Sequence, residues 1–213
     1  MKKTLIVAAV LASSLAATAA AAPSATGHGQ PGAAPAASPD GVCAGNTGTD
    51  TFNAVVSQNF EATFAAYSSQ AADDFILTKT CIASDFHVTG QYFNGSGPAD
   101  SVDLTYYKNK NGHPGRVIKS FAGLPYTNGP SFNLVYPKFK LKPGHYWVSP
   151  VANMNFSSGG EWGWEVQSEI NGSEAVWVNP GGGFGVCSTW DTLTNCLGIT
   201  GDFLFTVTGK LKG

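Results

Sequence analysis

Short runs in which apolar and polar residues alternate recur along the sequence from residue 101 onward. Residues 101–107 (SVDLTYY) place Val102, Leu104 and Tyr106 on one face of an extended chain. The same alternation recurs in KFKLK (138–142), HYWVSPV (145–151) and FLFTVTG (203–209). Because successive side chains of a β-strand point to opposite faces, a period of two predicts half-buried strands rather than helices.

Turn signals separate these runs and define the fold class. They are NKNGHPG at 109–115, KPG at 142–144 and NPGGG at 179–183. Residues 50–70 are ambiguous, because their phenylalanines fit one face of a short helix while part of the segment alternates equally well as a strand. Short strands with frequent turns predict an all-β fold, an antiparallel jelly-roll-like β-sandwich.

The beginning of the chain has the pattern of a secretory signal peptide. Lys2 and Lys3 precede an apolar run, and alanines follow it up to residue 22. The apolar run is shorter than the ~20 residues that a membrane-spanning helix needs. Residues 1–22 therefore predict a secreted protein, extracellular or periplasmic, with no membrane span after cleavage.

The next segment differs in composition from everything that follows it. Residues 23–41 are rich in Pro, Ala, Gly and Ser and contain no bulky apolar residue. Such a segment cannot contribute to a core, so it predicts a disordered tether. The folded β-sandwich domain is then predicted to span residues 42–213.

Charge is scarce in this chain. Charged residues make up 12% of it, against about 25% in an average globular protein. Two of the 12 basic residues are Lys2 and Lys3, so the rest of the chain has 10 basic and 14 acidic residues and a formal balance of −4. Nucleic-acid binding relies on clustered Lys and Arg, so the composition argues against a nucleic-acid partner.

Lys138, Lys140 and Lys142 alternate along one predicted strand. One interpretation is a stripe that binds a polyanion. The alternative is the solvent face of an edge strand, where lysine prevents pairing with other chains. The acidic balance of the chain favours the second interpretation.

The four cysteines all follow the predicted signal peptide. An even number in a secreted chain indicates disulfides, and four cysteines allow three connectivities. We favour Cys43–Cys81, which would anchor the start of the domain, with Cys187–Cys196, which would close a short loop. A zinc site is disfavoured because no C-x-x-C spacing is present.

Six further stretches carry a resemblance to a known module. They are SQAADDF (69–75), YYKNKNGHPGRVI (106–118), LKPGHYWVSPVANM (141–154), EWGWE (161–165), AVWVNPGGGFGVCSTW (175–190) and GDFLFTVTG (201–209). Together they resemble a β-sandwich module of secreted bacterial proteins that occurs alone or beside protease or kelch-type parts. The resemblance implies a fold and a location, and it carries no established activity.

The sequence gives little support for a catalytic function. The chain has no G-x-S-x-G and no H-E-x-x-H motif. Glu161 and Glu165 share a strand face about 13 Å apart, farther than the roughly 6.5–9.5 Å of an inverting glycosidase pair. Asp73, Asp74 and Asp202 could supply oxygens to calcium, but solvated strand ends are the favoured interpretation.

The tryptophans are the strongest candidates for a binding surface. Trp162 and Trp164 share a strand face with only glycine between them, and two more indoles follow in the chain. They either fill the core, which we favour, or form an aromatic strip that stacks on sugar rings. The candidate strip consists of Trp162, Trp164, Trp177 and Trp190.

The sequence therefore predicts a secreted extracellular binding module that attaches to glycan or cell-envelope material. Its predicted partner is a polysaccharide or cell-surface glycan, and no cofactor or metal is predicted. One alternative is a structural or adhesive secreted protein without a small ligand. A second is a glycan-active hydrolase whose carboxylates converge only in three dimensions, although binding is favoured over catalysis.

Overall fold

The computed structural model describes residues 21–31 and 40–212. Most of the signal peptide predicted for residues 1–22 lies outside the described residues, and so do residues 32–39 of the predicted tether. Helices are short: a 3-10 helix at Ala62–Tyr67, α1 at Phe156–Gly159 and α2 at Leu193–Leu197. Among the residues described, no helix is long and apolar enough to cross a membrane.

Strands account for most of the described chain, which confirms the predicted all-β sandwich. In chain order they are β1 (Thr26–Gly27), β2 (Gln30–Pro31), β3 (Val42–Asn46), β4 (Asp50–Val56), β5 (Gln58–Asn59), β6 (Gln70–Leu77), β7 (Thr80–Val88), β8 (Gly90–Phe93), β9 (Ser101–Lys110), β10 (His113–Leu124), β11 (Tyr126–Thr127), β12 (Phe132–Leu141), β13 (Gly144–Asn153), β14 (Glu161–Gln167), β15 (Val176–Val178), β16 (Asp191–Thr192), β17 (Asp202–Phe203) and β18 (Phe205–Lys212).

The strands form three sheets. The five-stranded sheet has the order β11-β12-β7-β18-β3, and the seven-stranded sheet has the order β10-β9-β13-β6-β15-β16 with β5 beside β13. The six-stranded sheet has the order β1-β4-β14-β8-β2, with β17 also paired to β14. The pairing is antiparallel except between β5 and β13.

The five- and seven-stranded sheets pack face to face over an aromatic core. Phe75 of the seven-stranded sheet contacts Phe205 of the five-stranded sheet, with ring centroids 6.3 Å apart. Tyr106 and Tyr136 meet across the same interface, and their hydroxyls lie 2.7 Å apart. Both tyrosines are buried, so this hydrogen bond satisfies polar atoms that would otherwise be costly to bury.

The alternation predicted for residues 101–107 is confirmed. Val102, Leu104 and Tyr106 are all fully buried, and β9 lies between β10 and β13. A two-residue turn, Asn111–Gly112, joins β9 to β10. Asn-Gly is a favoured pair in such hairpins because its twist matches that of the flanking strands.

The segment that the sequence left ambiguous divides into both kinds of structure. Residues 50–56 form β4, in which Ala54, Val55 and Val56 are fully buried. The 3-10 helix follows at residues 62–67. A single helix through this segment does not form because β4 is held by ladder hydrogen bonds to β14.

The tether prediction is wrong for residues 23–31. There β1 pairs with β4 at one edge of the six-stranded sheet, and β2 pairs with β8 at the other edge. The amide nitrogen of Ser24 also donates to Glu161 Oε1 at 2.7 Å. Composition could not reveal this pairing, because main-chain hydrogen bonds to a sheet edge need no apolar side chain.

Both favoured disulfides are confirmed. Cys43–Cys81 joins β3 to β7 and closes a separation of 38 residues. Cys187–Cys196 closes a separation of 9 residues between the loop after β15 and α2. The four cysteines are thus all paired.

Candidate functional site

Three of the four tryptophans of the candidate aromatic strip are part of the core, as the favoured interpretation had it. Trp162, Trp164 and Trp177 are fully buried. The Trp162 ring stacks on Phe132 at 4.7 Å, and the Trp164 ring stacks on Phe203 at 4.4 Å. The indole N–H groups of the three buried residues donate to main-chain carbonyls of Pro130, Leu204 and Val56. These rings therefore offer no face to a ligand.

Trp190 differs from the other three tryptophans. It is partly exposed and meets Tyr107 edge to face, with ring centroids 6.4 Å apart. Trp190 reaches the protein surface and the other three candidate tryptophans do not, so the four residues do not form a binding strip.

The EWGWE strand is buried on both faces. Every residue from Glu161 to Gln167 is buried, and β14 pairs with β4 along one edge and with β8 along the other. Gly163 permits the close packing, since a Cβ there would lie 2.8 Å from both Ala54 Cβ and Phe93 Cε1. A period of two distinguishes two faces but does not show that one of them is solvated.

The two glutamates of this strand lie in different surroundings. Glu161 accepts hydrogen bonds from the Ser24 amide and from Asn94 Nδ2, each at 2.7 Å, and burial raises its pKa to about 7. Glu165 lies beside Asp50, and its carboxyl oxygens receive no N–H donor. Burial and the neighbouring Asp50 raise the pKa of Glu165 to about 8.

We expect these raised pKa values to make the protein less stable at alkaline pH. A carboxyl with a higher pKa in the folded chain binds more protons there, so stability falls as pH rises from about 4.5 to about 8. Glu165→Gln should raise the melting temperature at pH 8.5 and reduce the difference between pH 5.5 and pH 8.5, an effect on the order of 1–3 kcal/mol. Thermal melts at the two pH values measure this.

The matched control is Glu169→Gln. Hydrogen bonds from Thr49 lower the pKa of exposed Glu169, so its titration lies below this pH range. An unchanged pH dependence in Glu165→Gln would contradict the assignment.

The three aspartates considered from the sequence lie together inside the protein. Asp73, Asp74 and Asp202 are fully buried, so the interpretation of solvated strand ends is wrong. Burial and the nearby Asp202 raise the pKa of Asp73 well above its usual value. Burial and the charge of Asp74 raise the pKa of Asp202 to about 7.

Most oxygens of this cluster are held by named donors. Asp73 accepts from the amides of Phe203 and Asp74, each at 2.7 Å, and from Asn46 Nδ2 at 2.9 Å. Asp202 accepts from the amides of Asn171 and Ala175. The bonds to Asp202 fasten the loop between β14 and β15 to β17, and the bonds to Asp73 join β3 and β17 to β6.

Asp74 differs, because only one of its oxygens has donors. Its Oδ2 accepts from the Ser173 amide at 2.9 Å and contacts His145 Nε2. Its Oδ1 is buried without a partner. Gly172 covers this oxygen at a φ of 106°, and a Cβ there would lie 2.6 Å from Oδ1, which excludes other residues.

Asp74 also lines a cavity of about 400 Å³ at the protein surface. Asn46 and Asn171 contribute amide groups to the wall, and Asn171 Nδ2 donates to Asn46 Oδ1 at 3.2 Å. Phe75 and the exposed Ile76 provide the apolar part of the lining. The cavity therefore combines planar polar groups with an apolar edge, a combination typical of small-molecule sites.

The chemistry of these groups suits a ligand rich in hydroxyls. Carboxylate oxygens accept hydrogen bonds, and amides both donate and accept. Within residues 21–31 and 40–212, no group of three or more His, Cys, Asp or Glu side chains has an arrangement that could hold a metal ion.

Sequence reasoning identified Asp74 but none of its partners. Asn46, His145 and Asn171 come from β3, β13 and the loop after β14, far apart in the chain. A correct register would have placed His145 near Asp74, because Trp147 lies opposite Asp74 in the β6–β13 pair and diagonal neighbours are within reach. No comparable signal marks Asn46 or Asn171.

Comparison of the chain with family models, with curated proteins and with solved structures finds no match.

Proposed function

We propose that the chain is a secreted binding module that holds a sugar residue of an extracellular glycan in the cavity lined by Asn46, Asp74 and Asn171. One observation carries the proposal: a buried carboxyl oxygen, Asp74 Oδ1, has no donor and belongs to a residue in the wall of a cavity of about 400 Å³. A buried acceptor without a donor costs about 1–3 kcal/mol. A ligand hydroxyl would recover this energy.

Binding through this oxygen requires a small local movement. Gly172 covers Oδ1, but Gly172 itself is exposed and lies in the loop between β14 and β15. When this loop moves outward, a sugar hydroxyl donates to Asp74 Oδ1, and neighbouring hydroxyls bond to the Asn171 amide. Ile76 then contacts the C–H face of the ring.

Two features support the proposed location. Residues 1–22 have the pattern of a signal peptide, and the two disulfides suit an oxidising compartment. Together they favour an extracellular or periplasmic location, where glycans are available.

The cavity favours binding over the hydrolase alternative derived from the sequence. A glycosidase of the usual kind needs two carboxyl groups at the scissile bond, and Asp74 supplies the single carboxyl among the residues that line the cavity.

The proposal predicts that Ile76→Trp blocks binding. Ile76 is 60% exposed and lines the cavity, so an indole there should fill it and weaken binding at least about tenfold, or ~1.4 kcal/mol. The measurement is isothermal titration calorimetry with a panel of cello-, xylo-, manno- and chito-oligosaccharides. The unmodified protein should bind at least one member of this panel.

The matched control is Val135→Trp, at an exposed strand position in β12 outside the cavity. It should bind like the unmodified protein. The proposal fails if no oligosaccharide binds, or if Ile76→Trp binds as tightly as Val135→Trp.

A further inference from the structure

The outer face of the five-stranded sheet collects lysines from separate parts of the chain. Lys140 of β12 and Lys210 of β18 both lie opposite Ile82 of the intervening β7. Lys212 lies opposite Thr80 of the same strand. Residues directly opposite each other in a sheet share a face, so three strands bring these side chains to one surface.

Two more lysines border this surface. Lys142 follows β12 directly, and Lys79 directly precedes β7. We call the five residues the basic face: Lys79, Lys140, Lys142, Lys210 and Lys212.

The lysines of the basic face are exposed and have no ion-pair partner among the residues described. All five lysines are exposed, whereas Cys81 and Leu141 on the opposite side of the same sheet are buried. In the described part of the chain none of the five forms an ion pair. Lys138 is different, since it lies 3.2 Å from Asp40. Half of the 10 basic residues outside the predicted signal peptide are thus concentrated on one surface of an acidic chain.

The spacing of these charges fits a linear polyanion. Lysines two residues apart in one strand lie about 6.6 Å apart, and those two strands apart lie about 9.6 Å apart. An extended polymer with one negative charge per repeat can therefore meet several lysines at once. Because the lysine side chains are flexible and solvated, attraction depends on summed charge rather than on a fixed geometry.

We propose that the basic face binds an anionic polysaccharide, at a site separate from the cavity around Asp74. The sheet positions between the lysines carry Thr80 and Ile82, and neither offers the aromatic ring on which single-stranded nucleic acids stack. Arginine, which reads guanine in duplex DNA, is missing from the face. The lysines therefore suit carboxylate or sulfate groups on a sugar polymer.

The test compares two triple variants that remove the same charge. Lys140, Lys210 and Lys212 are replaced by Gln in the first variant, and Lys110, Arg116 and Lys119 of the β9–β10 hairpin are replaced by Gln in the second. Binding to polygalacturonate is measured by biolayer interferometry at about 50 mM salt, with dextran as the uncharged polymer. Circular dichroism melts confirm that both variants fold.

We expect the first variant to bind polygalacturonate at least about tenfold more weakly, and the second to change by less than about threefold. Binding of the unmodified protein should fall at least about tenfold between about 50 and 200 mM salt, because each bound charge releases counterions. Dextran should not bind.

Equal losses in the two variants would overturn the assignment of the site, and so would the absence of polygalacturonate binding. Tighter binding to an oligonucleotide of equal charge, or to phosphatidylserine vesicles, would overturn the choice of polysaccharide. Because Ile76→Trp leaves the basic face intact, failure of the cavity proposal and failure of this one are distinguishable.

Discussion

Replacing Trp164 with alanine is expected to lower the free energy of unfolding by about 3–5 kcal/mol. Trp164 is fully buried, stacks on Phe203 and meets Phe86 and Phe205 edge to face. Its removal leaves a cavity where two sheets meet and removes one of the two hydrogen bonds to the Leu204 carbonyl, which keeps the one from the Thr89 amide. Urea unfolding followed by tryptophan fluorescence or circular dichroism measures the loss.

Trp190→Ala is the matched control, because Trp190 is partly exposed and packs at the edge of a small buried cluster beside Tyr107. We expect it to lose clearly less stability than Trp164→Ala. A Trp164→Ala variant with an unchanged unfolding midpoint would show that the ring is not a core residue, and the aromatic strip would again be a candidate for binding.

Removing the Cys43–Cys81 disulfide is expected to cost about 4 kcal/mol, and removing Cys187–Cys196 about 2.5 kcal/mol. The difference follows from loop length, since the first bond closes a separation of 38 residues and the second a separation of 9. A cross-link that closes a longer loop removes more entropy from the unfolded chain. The comparison uses two double variants, Cys43→Ala with Cys81→Ala and Cys187→Ala with Cys196→Ala.

Each double variant serves as the control for the other, because each removes one disulfide and two sulfur atoms. The measurement is the free energy of unfolding in guanidinium chloride without reductant. A larger loss from the short-loop variant would contradict the loop-entropy account and would indicate that Cys187–Cys196 stabilises the folded state directly.

The sandwich itself was predictable from local pattern. Alternation in residues 101–107 identified β9, and the Asn-Gly turn signal located the hairpin to β10. Both signals are short-range, because the strand period and the turn conformation are properties of a few consecutive residues. The disulfide pairs were favoured among three connectivities because of the loops they close, and the predicted secretion favoured disulfides as such.

Pairing through the main chain was not predictable. Residues 26–31 add strands to both edges of the six-stranded sheet although the segment has no bulky apolar residue. Ladder hydrogen bonds are independent of side-chain identity, so composition predicted disorder where the chain pairs. The period of two assigned the residues of β14 correctly to two faces. It could not show that both faces are buried, because the elements that cover them are distant in sequence.

The candidate site was predictable only in part. Asp73 and Asp74 stand out as adjacent acids, and Asp202 was recognised beside them as a possible third oxygen donor. The cavity depends on Asn46 and Asn171, which are ordinary polar residues until the fold brings them to the end of β6. The candidate site is marked by an Asp74 oxygen that has no hydrogen-bond partner. Whether an atom has such a partner depends on the folded chain and cannot be read from the sequence.

The most direct test of the cavity as a glycan site is a nuclear magnetic resonance titration of ¹⁵N-labelled protein with the oligosaccharide that binds best in the panel. We expect the Asn171 side-chain amide and the Gly172 and Ser173 backbone amides to shift together and saturate, because the first two groups line the cavity and the third donates to Asp74. Amides of Ile82 and Lys210 on the basic face should not move. Saturable shifts confined to other residues, or no shifts at saturating ligand, would contradict it.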